Sequence, residues 1–193
     1  MGYLISFIVG FGVGSIPFGF IVARFCGIDI REHGSGNIGA TNVSRVCGKK
    51  VGLPVFILDA GKGFLATFLA SHWFGLNPAL LGGVAAILGH AFTPWLKLRG
   101  GKGISTGLGV FVGLTPIGAL VALLVWGVLL LIWRWVSVAS MGAVAALTLF
   151  IFIKERVSVI FFVVLGVFIL ILYLHRSNIR RLIRHEEPRI GKK

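Results

Sequence analysis

Three short polar segments interrupt an otherwise apolar chain, and their residue types suit anions. The first runs His33-Gly-Ser-Gly-Asn-Ile-Gly-Ala-Thr-Asn-Val-Ser-Arg45. Its small residues let successive backbone N–H groups converge. Ser35, Thr41 and Asn42 add hydrogen-bonding side chains, and Arg45 adds a positive charge; such a nest suits a phosphate. Gly34, Gly36 and Gly39 also spell G-x-G-x-x-G. A dinucleotide-binding turn is excluded, because no strand precedes the glycines and Asp59, at the expected distance, lies in an apolar run.

The second segment, Leu58-Asp-Ala-Gly-Lys-Gly63, sits inside an apolar run. Ionisable side chains there are costly and either pair or line a wet cavity. Asp59 and Lys62 are three apart, so they share a helix face and can neutralise one another. Asp59 then supports Lys62, which either ties helices together or is held for a ligand. The third segment combines His90 with Lys97-Leu-Arg-Gly-Gly-Lys-Gly103, Ser105 and Thr106. No P-loop is present: Leu96 stands where its first glycine is required, and Gly103 follows Lys102 in place of Ser or Thr. Gly101 and Lys102 opening a short helix still make an anion seat at its N-terminus. His90 alone reads more readily as a hydrogen-bonded packing residue than as a catalyst. A final polar stretch begins His175-Arg-Ser-Asn-Ile-Arg-Arg. Arg180, Arg181 and Arg184 fit a lipid-surface anchor, which leaves His175 and Asn178 without an explanation.

The elements that position these groups belong to a membrane. Hydrophobic residues make up 56% of the 193 and charged residues 13%, about half the charged share of a soluble domain. Such a chain cannot cover itself with polar surface, so lipid is its solvent. A helix needs roughly 20 apolar residues to cross, which predicts spans near 3–25, 52–74, 78–96, 116–133, 136–153 and 157–175. The stretch 104–115 is short, and whether it crosses decides the parity of the fold. If it crosses, Arg24, Arg31, Arg45, Lys49, Lys50, Lys97, Arg99, Lys102, Arg134 and the basic residues beyond His175 share one side. The positive-inside rule prefers that arrangement. The expectation is an all-α integral membrane protein with about seven transmembrane helices and glycine-rich cytoplasmic loops. It forms a single polytopic domain over 1–193, with the N-terminus outside and the basic tail in the cytoplasm. The run from Tyr3 lacks a basic leader and a small-residue cleavage site, and reads as a retained helix.

The net charge of +13 lies in the loops, which suits topology, anionic lipid or an anionic substrate and not nucleic acid. Cys26 and Cys47 show neither metal spacing nor a disulfide framework, and no cofactor or metal is expected.

Taken in order, G-S-G-N-I-G-A-T-N-V-x-R, D-x-G-K-G, G-H-x-F-x-x-x-L-x-x-x-G-G-K-G and H-R-x-N-I-x-R-L resemble the bacterial acyl-phosphate:glycerol-3-phosphate acyltransferases, from about residue 13 to 190. The resemblance implies a monomeric inner-membrane enzyme that starts phospholipid synthesis. It would move a fatty acyl group from acyl phosphate to the 1-hydroxyl of glycerol 3-phosphate, giving lysophosphatidic acid. Carried over residue by residue, it implies catalytic roles for His175, His90 and Asn178. Ser35, Asn37, Thr41, Asn42, Arg45, Lys62, Gly101, Lys102, Arg176 and Arg180 would bind substrate or phosphate, with Asp59 in support.

The residues themselves fit that chemistry. Both substrates carry phosphate and one carries an alkyl chain, so a site at the lipid interface could hold the chain between helices and the phosphates among loops. A mixed anhydride is already activated, and positioning and charge stabilisation are the main needs. No histidine has Asp five residues on, so the His-x-x-x-x-Asp pair of thioester-using glycerol acyltransferases is lacking. A transporter or channel for a phosphorylated solute would also use an intramembrane Asp–Lys pair. Its alternating access needs polar groups on both sides, whereas these gather on one.

Overall fold

The computed structural model describes residues 1–191, and every regular element among them is helical. Lys192 and Lys193, counted above with the basic tail, lie outside the described residues. The chain divides into two compact units, Met1–Leu114 and Thr115–Lys193. The first contains α1 (Gly2–Gly14), α2 (Phe18–Phe25), α3 (Ala40–Cys47), α4 (Lys49–Phe74), α5 (Leu76–Ala91) and α6 (Ile104–Leu114), with 3-10 turns at Ile30–Glu32 and Pro94–Leu96. The second contains α7 (Pro116–Trp133), α8 (Val136–Glu155), α9 (Val159–Leu174) and α10 (Arg176–Ile183).

Polarity runs in the membrane sense. On α4 the buried stripe includes Asp59, Lys62, Gly63 and Thr67, while Leu53, Ile57, Leu58, Leu65 and Phe68 face outward. An outward apolar face is what lipid as solvent selects. Among the described residues, Gly2–Phe25, Lys49–Phe74, Leu76–Leu96, Pro116–Trp133 and Val136–Glu155 are long and apolar enough to cross; α9 with α10, bent by 57°, makes a sixth. The remaining apolar helix, α6, has 11 residues. It rises only about 16 Å, roughly half of the hydrocarbon core.

The first span departs from the single helix expected over 3–25: it breaks between Gly14 and Phe18. Pro17 has no N–H to donate and cannot continue the ladder. The break leaves carbonyls that must find partners inside the protein, since lipid offers none. Thr93 Oγ1 donates to Ser15 O at 2.6 Å, and Lys62 Nζ donates to Ile16 O at 2.8 Å. The two polar residues thus repair the first span.

Small residues bring the helices of this unit together. A Cβ on Gly10 or Gly14 of α1 would overlap the carbonyls of Gly82 and Ala86 on α5. Between α4 and α6, Gly63 abuts the Thr106 carbonyl and Gly109 the Ala60 carbonyl. Close backbone approach of this kind gives the dispersion contacts that replace hydrophobic driving force in lipid. In the second unit α8 packs against both α7 and α9.

Candidate functional site

The segment from Ile28 to Gly48 is a built structure and not a slack connector. Ile30, Ile38 and Val43 are buried against Ala23 of α2, Val55 of α4 and Leu96. Gly34 and Gly36 take positive φ, 61° and 69°, which turns their N–H groups in a way an L-residue resists. Asn42 holds the turn from inside. Its Oδ1 accepts from Ser35 N at 2.9 Å, and its Nδ2 donates to His33 O at 3.0 Å and Asn37 O at 2.9 Å. Asn37 Oδ1 accepts from Gly39 N at 2.9 Å, an Asx turn leading into α3. Thr41 and Arg45, one helical turn apart, are exposed together, as is Ser35. Asp29 anchors the start of the segment through Arg31 at 2.6 Å and Arg24 at 2.7 Å. Hydrogen bonds from Arg31, assisted by the Arg24 charge, hold the Asp29 carboxyl well below the usual carboxylate range.

Asp59, Lys62 and His90 meet in the interior. Lys62 Nζ lies 2.7 Å from Asp59 Oδ1, 3.0 Å from His90 Nδ1 and 2.8 Å from Ile16 O. The ammonium has three protons and no acceptor; it hydrogen-bonds Ile16 O and His90 Nδ1 and faces Asp59 Oδ1 as an ion pair. All three side chains are at most 4% exposed. The pair expected from the three-residue spacing is present. The sequence did not reveal that His90, from α5, completes it, with its Nδ1 also 3.5 Å from Asp59 Oδ1. A carboxylate therefore approaches this histidine across helices, where local spacing predicted none.

The Gly-Gly-Lys-Gly segment is pinned to the end of α5. Gly100 N donates to Ala91 O at 3.0 Å and Gly101 N to His90 O at 3.1 Å. A Cβ at Gly101 would collide with His90 Nε2, so only glycine lets the segment lie flat on the imidazole. Lys102 is half-buried immediately before α6. A cleft of about 440 Å³ lies within this unit, lined by Arg31, Glu32, Gly36, Leu96, Lys97, Arg99 and Gly100. Three cations line it against one carboxylate, which suits an anion.

In the second unit His175 is the hinge between α9 and α10. It is buried, and its Nδ1 lies 2.9 Å from Ile171 O. A carbonyl only accepts, so Nδ1 carries the proton and Nε2 is the acceptor nitrogen of the neutral ring. Asn178, also buried, donates through Nδ2 to Glu187 Oε1 at 2.7 Å. Arg176 is exposed and stacks over Tyr173 with 4.5 Å to the ring centroid. Arg180 is exposed on the last turn of α10. Glu187 was not singled out by the sequence reading. Its signal was scarcity: it is one of only six acidic residues in the chain, set within a basic tail.

Residues 4–185 match the glycerol-3-phosphate acyltransferase family. Proteins of that name from Aquifex aeolicus and Brucella canis are 41% and 43% identical; the alignments cover 98% and 97% of this chain, and 100% and 93% of theirs. One from Geotalea daltonii is 41% identical over 88% of both chains. Among solved structures, the glycerol 3-phosphate form of PlsY, an integral membrane glycerol 3-phosphate acyltransferase, superposes with a TM-score of 0.95 at 40% identity, covering 99% of this chain and 96% of that one. Its lysophosphatidic acid form gives 0.92 at 39%, with the same coverage. With the sequence motifs, the helical membrane fold and these relatives in agreement over nearly the whole length, the chain belongs to the glycerol-3-phosphate acyltransferase family.

Proposed function

We propose that the protein transfers a fatty acyl group from acyl phosphate to the 1-hydroxyl of glycerol 3-phosphate, at the cytoplasmic face of a bacterial inner membrane. The observation that carries this reading is the near-complete match to a protein crystallised in glycerol 3-phosphate and lysophosphatidic acid forms, an acceptor and its acylated product. Acyl phosphate as donor is supported by the motif resemblance and by the lack of a His-x-x-x-x-Asp pair. The hydroxyl oxygen bonds to the acyl carbon, the carbon–oxygen bond to phosphate breaks, and phosphate leaves. The hydroxyl proton passes to a phosphate oxygen, whose second pKa of about 6 suits it as acceptor near neutrality.

The geometry narrows the protein groups available to that step. With Lys62 as the ammonium, His90 Nδ1 must accept, so a neutral His90 carries its proton on Nε2 and has no lone pair for an alcohol. Asp59 is occupied by Lys62. Lys62 and His90 thus serve the fold beneath the loops, and Asn42 and Asn37 serve the loop itself. Ser35, Thr41 and Arg45 with the N-terminus of α3, and Lys102 with that of α6, remain as phosphate seats. His175 and Asn178, in the second unit, are assigned to the reaction by the motif resemblance alone.

Arg45→Ala and Lys102→Ala test this. Each should remove most activity while the protein still inserts and folds. If both keep kcat/KM within a few fold, these cations belong to the topology signal and the proposal is wrong.

A further inference from the structure

Cys26 and Cys47 are the two cysteines of the chain, and the fold brings them together. Ala23 of α2 and Val43 of α3 are buried in one apolar cluster, and α2 packs against α3. Cys26 lies three residues beyond Ala23, where α2 ends, and Cys47 lies four beyond Val43, where α3 ends. Those intervals keep a side chain on the same helix face, one turn further along. Both thiols therefore leave the cluster on the same side. Cys47 is half-buried and packs against the cluster, Cys26 is exposed, and both are free thiols. Burial pushes the Cys47 thiol up, and the charge and hydrogen bonding of the Cys26 thiol beside it push it further. Cys26 is thus the accessible member of the pair and Cys47 the sheltered one.

We propose that Cys26 and Cys47 form a reversible thiol–disulfide site whose oxidation slows the enzyme by closing the glycine-rich segment into a ring. The effect on activity rests on the proposed phosphate seat, because Ser35, Thr41 and Arg45 all lie between the two cysteines. A disulfide holds its sulfurs about 2.05 Å apart, well inside the contact distance of two thiols. α2 belongs to the first span, which Lys62 ties at Ile16 O, whereas α3 is a helix of eight residues within the loop. Closing the bond therefore moves α3, and Thr41 and Arg45 move with it. The oxidant is a small-molecule disulfide. Cys26, as the thiolate, attacks one of its sulfurs and expels a thiolate, leaving a mixed disulfide. Cys47 then loses its proton and attacks the Cys26 sulfur, expelling the second thiolate. The two protein protons end on the expelled thiolates, so two protein thiols are oxidised and one disulfide becomes two thiols. A reducing thiol pool on the cytoplasmic side runs the same steps backwards, and the pair rests reduced.

Oxidation of the unsubstituted full-length protein, purified in lipid or detergent, tests this. After incubation with oxidised glutathione, mass spectrometry of an unreduced digest should find the Cys26 and Cys47 peptides joined, in a protein that stays monomeric on a non-reducing gel. With acyl phosphate and glycerol 3-phosphate, kcat/KM should fall about 10- to 100-fold, the scale of a displaced binding group. Dithiothreitol should restore it to within a few fold. Cys26→Ser and Cys47→Ser should each match the reduced parent and keep that activity in oxidised glutathione, although Cys47→Ser still carries the mixed disulfide at Cys26. Peptides that stay unlinked, a link between two molecules, a linked protein as fast as the reduced one, or a Cys47→Ser protein slowed as much as the parent would each overturn the proposal. A reduced parent that forms no lysolipid overturns the proposed function instead, and the peptide link, read without any assay, reports on the thiol pair separately.

Discussion

Lys62 donates to His90 across helices α4 and α5, with 3.0 Å between Nζ and Nδ1. The contact fixes the tautomer of the imidazole and ties the two helices together, while the same ammonium donates to the Ile16 carbonyl and pairs in charge with Asp59. Ions placed inside a membrane domain suggest substrate chemistry. Here Lys62 also donates to the Ile16 carbonyl, where the first span breaks before Pro17.

Removing the ammonium should therefore cost stability before it costs chemistry. Lys62→Met leaves Asp59 buried without its ammonium partner and removes one of the two donors to Ile16 O, the other being Phe18 N, a loss of about 3–5 kcal/mol. Adding Asp59→Asn should recover part of it, since the uncompensated charge is gone. Unfolding in detergent micelles measures both. A Lys62→Met protein within about 1 kcal/mol of the parent, the scale of an exposed pair, would show that the buried ion pair is not what holds this region.

Replacing His175 tests where the hydroxyl proton goes. Its Nδ1 lies 2.9 Å from Ile171 O, which fixes the proton of a neutral ring on Nδ1. If substrate phosphate takes the proton, His175→Ala retains the acidic limb of the pH–rate curve, where activity rises as the phosphate deprotonates. Loss of that limb, with about 10²–10⁴-fold lower kcat and unchanged substrate affinity, would assign the base to His175.

The crossing of α6 is open to direct measurement. In a variant without Cys26 and Cys47, single cysteines at Ser44, Gly100 and Ile190 should label from the cytoplasm. Those at Gly2, Asn77 and Glu155 should label from outside. A tail that labels from outside while Gly100 does not means that α6 enters and returns on one side.

The spans and the Asp59–Lys62 pair were legible because apolar run length and three-residue spacing are local properties. The break at Ser15–Pro17 was less so: the run stays apolar through it, and only Pro17 marks it. His90 joins Lys62 from 28 residues away, and no local pattern encodes that meeting. Asn42 was counted among phosphate ligands from its place in a glycine-rich loop. Its position on α3 turns it inward instead, where its amide staples Ser35, His33 and Asn37. Arg180, Arg181 and Arg184 read as a basic anchor because charge is visible as composition, whereas the bonds that Glu187 accepts from Ser137 and Trp135 join residues 50 and 52 apart.

The most direct test of the account is donor identity. Purified protein in lipid or detergent, given acyl phosphate and labelled glycerol 3-phosphate, should form labelled lysophosphatidic acid and release phosphate in equal amounts. Given acyl-CoA or an acyl carrier protein thioester free of acyl phosphate, it should form none. Turnover with a pure thioester, or no lysolipid from acyl phosphate, would contradict the proposed reaction.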